Sequence, residues 1–69
     1  MEKGTDVIIK LSRDLVQSKL APLAGREGVI VEVVANEKNE IKGCWVELSG
    51  ESYENEKEWF FSTNSITIK

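Results

Sequence analysis

The sequence predicts an all-β domain: a small closed barrel of five strands, with a long first loop and a short 3₁₀ turn before the last strand. Three observations predict it. Five short runs rich in β-branched or aromatic residues recur along the chain, each bounded by polar or turn-forming residues. The one stretch with near-helical spacing is short and contains Pro22. At 69 residues, the chain is long enough for one domain and too short for two, so residues 1–69 read as a single unit. Closure into a barrel would remove the exposed strand edges that invite aggregation.

Residues 6–11, Asp-Val-Ile-Ile-Lys-Leu, read as the first strand. The two-residue period puts Val7, Ile9 and Leu11 on one face and Ile8 and Lys10 on the other. Residues 12–23 read as a long loop with one helical turn. Ser12 caps that turn, Pro22 ends it, and the leucines pin the loop to the barrel. Residues 27–36 form the clearest strand, long and nearly all β-branched, as expected of a bent central strand serving two sheets. Strict alternation groups Val29, Val31 and Val33 opposite Ile30, Glu32 and Val34. A bulge would change that grouping, and both registers stay open.

Asn36 to Glu40 is polar and turn-rich, a hairpin connection. Ile41 to Leu48 returns as a strand, with Cys44, Val46 and Leu48 on one face and Trp45 and Glu47 on the other. Gly43 there permits a bulge or a close backbone approach. Ser49 to Lys57 reads as a longer, mobile, acidic loop. Glu58 to Phe61 is a fourth strand, Ser62 to Ser65 a tight or 3₁₀ turn, and Ile66 to Ile68 a closing strand with one apolar face.

Composition excludes several chemistries. The chain has no histidine, which removes Ser-His-Asp and Cys-His arrangements and the usual zinc sites. Its single cysteine, Cys44, sits inside Cys44-Trp45-Val46 and reads as a buried, inert thiol. One cysteine forms no internal disulfide, which agrees with a reducing compartment. Gly25-Arg26-Glu27-Gly28 lacks the Lys-Ser/Thr of a phosphate-binding loop. The glutamates at 51, 54, 56 and 58 match no calcium-loop spacing. No apolar run exceeds three residues, far below the roughly 20 of a membrane span, and Met1 to Asp6 is polar. The expectation is a cytoplasmic chain without catalytic residues, cofactor or metal.

The order of elements resembles the SH3-like barrels: a strand, a long first loop, three meander strands, a 3₁₀ turn and a last strand. Leu23-Ala24-Gly25-Arg26-Glu27-Gly28-Val29-Ile30-Val31-Glu32-Val33 is similar to the KOW-type motif, with Gly28 at the motif glycine and Ile30 or Val31 at its buried aliphatic. Trp59-Phe60-Phe61-Ser62-Thr63-Asn64-Ser65-Ile66 looks like the strand, turn and closing strand of that fold. The resemblance implies either a protein-binding or assembly module or an RNA- or ribosome-associated domain. Fold alone does not choose between them.

Charge weighs against nucleic acid. The formal net charge is −3, whereas phosphate binding needs a positive surface. The charges are nevertheless segregated. Lys10, Arg13, Lys19 and Arg26 face only Asp14 in their segment, and Glu47, Glu51, Glu54, Glu56 and Glu58 face only Lys57 in theirs. The basic segment is the candidate RNA contact. The two segments also offer a contact with each other, within one barrel or between copies. Trp45, Tyr53, Trp59, Phe60 and Phe61 fall within seventeen residues, and strand alternation does not let all of them point inward. Phe61 is the core candidate; Trp45, Tyr53 and Phe60 are the candidate interaction residues. The sequence thus predicts a non-enzymatic protein-interaction module with an unidentified protein partner or a homodimer. A KOW-type RNA-binding domain is the alternative.

Overall fold

Each run of β-branched or aromatic residues forms a strand in the computed structural model of the chain, which describes residues 2–69. The elements are β1 (Asp6–Ile9), α1 (Arg13–Gln17), a first 3₁₀ turn (Ala21–Leu23), β2 (Glu27–Ala35), β3 (Ile41–Leu48), β4 (Glu58–Ser62), a second 3₁₀ turn (Thr63–Ser65) and β5 (Ile66–Ile68). All strand pairings are antiparallel, and the five strands make one sheet in the order β4-β3-β2-β1-β5. β2 is central, as its continuous β-branching requires, but it serves one sheet and not two.

The hydrogen-bonded ladder runs from β4 to β5 and stops there, so hydrogen bonds do not close the barrel. The two edge strands are joined instead through the second 3₁₀ turn and through the core, where Phe61 of β4 and Ile66 of β5 enter the same buried cluster. Val7, Ile9, Ile30, Val46 and Leu48 supply that cluster from the other strands, and Leu15, Leu20 and Leu23 supply it from the first loop. Burying each such side chain stabilises the fold by about 1.5–3 kcal/mol.

α1 begins as its sequence dictates: the Leu15 N–H donates to Ser12 Oγ at 3.1 Å, an N-cap. Its end differs from expectation. Lys19 adopts a left-handed φ of 62°. The Leu20 N–H donates to the Leu15 carbonyl and the Lys19 N–H to the Val16 carbonyl. This is a Schellman arrangement with buried Leu15 and Leu20 as its apolar contact. The helix is over well before Pro22, which lies in the opening turn of the first 3₁₀ segment, where a missing N–H costs nothing. Leu11 also departs from expectation: β1 ends at Ile9, and Leu11 is 65% exposed. Ile68 is likewise exposed at the sheet edge, so only Ile66 of β5 joins the core.

In β2 the register shifts between Ile30 and Glu32, which makes Val31 a bulge. Ile30 pairs with Val46 and faces the core, Glu32 pairs with Trp45 and faces outward, and Val33 pairs with Cys44 and packs on the core. A second shift sets Val34 opposite Gly43 and Ala35 opposite Ile41. The connecting hairpin is held by Asn36, whose Oδ1 accepts from the Lys38 and Glu40 N–H groups at 2.8 and 3.0 Å.

The acidic loop after β3 contains a turn of its own. Tyr53 and Glu56 exchange two backbone hydrogen bonds around Glu54 and Asn55, both at positive φ, which defines a tight primed turn. Arg26 Nη2 donates to the Ser49 carbonyl at 2.9 Å and to the Glu51 carbonyl. The basic and acidic segments therefore do meet within one barrel, through carbonyl oxygens and not carboxylates.

Candidate functional site

The outward face of β2, β3 and β4 is where exposed aromatic surface gathers. Alternation along β3 points Cys44, Val46 and Leu48 into the core, which sends Trp45 and Glu47 outward. On β4 the same rule buries Phe61 and exposes Phe60. Register places Trp45 directly opposite Phe60, and their rings meet edge to face with centroids 5.8 Å apart. Each is 39% exposed.

Gly43 shapes this pair. A Cβ built there would lie 2.6 Å from Phe60 Cζ and would also collide with the Phe61 carbonyl oxygen. The Phe60 ring therefore leans over the bare backbone of Gly43, a close approach that any side chain would prevent. On its far side Phe60 borders a groove against α1, lined also by Asp14, Gln17 and Ser18 and floored by Leu15 and Phe61. The charged residues that stand beside the pair on this face are acidic, among half-buried Val29 and Val34. Glu32 lies opposite Trp45, and Glu47 lies opposite Glu58. Trp45, Glu32, Glu56, Lys57 and Glu58 line one shallow depression.

Tyr53, the third interaction candidate, stands elsewhere. It is half-buried against Trp59, with ring centroids 5.8 Å apart, and both rings pack on the core. The Trp59 indole N–H donates to the Glu56 carbonyl at 3.1 Å, which fixes the loop over that side of the sheet. Tyr53 thus belongs to the packing of the acidic loop and not to the Trp45–Phe60 surface.

The four basic candidates also separate. Lys10, Arg13 and Lys19 are exposed on the first loop and α1, while Arg26 is half-buried and engaged with the loop carbonyls. Cys44 is fully buried, and burial pushes its thiol up from the ordinary range, so little thiolate forms at neutral pH. Among the described residues, no three or more His, Cys, Asp or Glu side chains are placed to hold a metal ion together, and no helix is long and apolar enough to cross a membrane.

Sequence reasoning missed Glu32 and Glu58 as neighbours of Trp45. The bulge at Val31 carries Glu32 to the outer face. A signal for it existed: Glu32 is the only charged residue between Gly28 and Ala35, yet strict alternation groups it with buried Ile30. No family model, curated protein or solved structure matches this chain.

Proposed function

We propose that this chain is a non-enzymatic protein-interaction module that docks its partner on the outward face of β2, β3 and β4. The observation that carries the reading is the Trp45–Phe60 pair: two large rings in mutual contact, each 39% exposed, on the outward face of β3 and the edge strand β4. Rings of this kind dominate interface energetics, because they bury large area with little loss of side-chain freedom. Neither ring belongs to the buried core cluster. The SH3-like resemblance agrees with a small binding module and adds no choice of partner.

The RNA alternative draws less support. Arg26 already donates to two loop carbonyls, which leaves Lys10, Arg13 and Lys19 to offset a molecule of net charge −3.

Photo-crosslinking tests the reading. A benzoylphenylalanine placed at position 45 or 60 is expected to capture a discrete partner in the native cell extract, and one at Thr67 or Asn39 is not. Equal capture from all four positions, or no capture from positions 45 and 60, would overturn it.

A further inference from the structure

The outward face carries a charge pattern that the aromatic pair does not explain. Glu47 and Glu58 stand directly opposite each other across β3 and β4, an arrangement that destabilises a sheet. Glu32 stands opposite Trp45 on the other side. The side chains of Glu32, Glu47 and Glu58 make no hydrogen bond or ion pair among the described residues, where the ion pair found is Lys69 with Glu27. The depression beside Trp45 is lined by three acidic residues, Glu32, Glu56 and Glu58, and one basic residue, Lys57. The free domain thus holds unpaired negative charge next to an accessible indole, at a cost to its own stability.

We infer that this face binds a cationic segment of another protein, with an arginine side chain seated on Trp45 between Glu32 and Glu58. The inference rests on the reading of this face as an interaction surface and names the chemistry of its occupant. Tryptophan is the best aromatic partner for a cation, and a guanidinium stacks on a ring while its N–H groups reach carboxylates on either side. Phe60 then offers apolar contact to the arginine stem or to the next residue of the segment.

The same charges disfavour other occupants. A second copy packed face to face by two-fold symmetry would set the Glu32, Glu47 and Glu58 carboxylates of both copies against each other. A second copy offering its basic loop would make a head-to-tail contact, and its Arg26 is already engaged. A phosphate backbone would be repelled.

Nuclear magnetic resonance titration of the full chain tests this with three synthetic peptides of equal length, in which arginine, glutamate or leucine alternates with serine. The arginine peptide is expected to shift the Trp45 indole and the Phe60 amide, with affinity falling as salt is raised. The glutamate peptide is expected to leave both in place. Glu32→Gln and Glu58→Gln should each weaken the arginine peptide about two- to fivefold, the range of an exposed ion pair. Glu58→Gln should at the same time raise the melting temperature of the free domain, an effect that a purely structural Glu58 would not produce.

Equal binding of the leucine peptide at Trp45 would keep the interaction surface and overturn the cationic occupant. No shift at Trp45 or Phe60 with any peptide would also overturn the occupant, and crosslinking at position 45 then reports separately on the surface. Shifts at these residues on concentrating the protein alone would assign the face to a second copy. Shifts there with a single-stranded RNA oligonucleotide would assign it to nucleic acid. Either result overturns the inference.

Discussion

Phe60 and Phe61 are identical neighbours with opposite fates. Phe61 is 2% exposed and packs with the strands and the first loop, whereas Phe60 is 39% exposed and leans over Gly43. The two-residue period alone decides which is which. Their substitutions should separate accordingly. Phe61→Ala empties the largest buried side chain of the core and should cost about 3–5 kcal/mol. A domain of this length has only about 3–10 kcal/mol in total, so the variant should lose a large share of its stability. Phe60→Ala removes a part-exposed ring and its contact with Trp45 and should cost about 1–2 kcal/mol. Urea unfolding followed by tryptophan fluorescence measures both. Comparable losses from the two variants would mean that Phe60 is structural and would weaken the interaction reading at its base.

At the scale of elements, α1 shows how far local chemistry reaches. Ser12 as its cap was legible because a hydroxyl before a short apolar repeat has one obvious use. The terminator was not legible as Lys19, because nothing in a lysine signals a left-handed backbone. Pro22 carried the stronger signal, yet the Leu15–Leu20 contact ends the helix earlier. A left-handed conformation costs a residue with a Cβ roughly 1–2 kcal/mol, a cost glycine escapes, less its larger unfolded-state entropy. Lys19→Gly should therefore stabilise the domain by about 0.5–1 kcal/mol, read as a higher urea midpoint at unchanged slope. Destabilisation would show that the Lys19 stem contributes packing beyond its backbone. The alternation of β3 was legible in full, since Cys44, Val46 and Leu48 are apolar where Glu47 is charged. Along β2 it was ambiguous, since nearly every residue is β-branched and a bulge leaves no mark on composition. The acidic neighbourhood of Trp45 was hidden for the same reason: it depends on cross-strand register, which a one-residue bulge resets.

For the whole molecule, the question is how an open ladder of five strands holds its ends together and stays apart from other copies. A chain of hydroxyls fastens the ends. Ser12 Oγ lies 2.7 Å from the buried Ser65 Oγ, Ser65 Oγ lies 3.2 Å from Ser62 Oγ, and Ser62 donates to Asp14 Oδ2 at 2.9 Å. The first loop is thereby tied to β4 and to the turn before β5. Separation from other copies falls to charge. Twelve acidic residues against nine basic ones give a sequence pI of about 4.9, and the acids Glu32, Glu47 and Glu58 flank the exposed rings. Near neutral pH two outward faces therefore repel, and the chain should be a monomer by light scattering at every concentration. As pH falls toward the pI, the net charge of the whole molecule falls to zero and with it the overall repulsion between copies, while Trp45 and Phe60 keep their apolar surface. Self-association should then appear, with circular dichroism confirming that the β structure persists. The double variant Trp45→Ala, Phe60→Ala should remain monomeric across the same range. A neutral-pH dimer would show that the acidic face does not keep copies apart. Association at low pH that survives the double substitution would place the contact elsewhere, with exposed Leu11 and Ile68 as the next surfaces to remove.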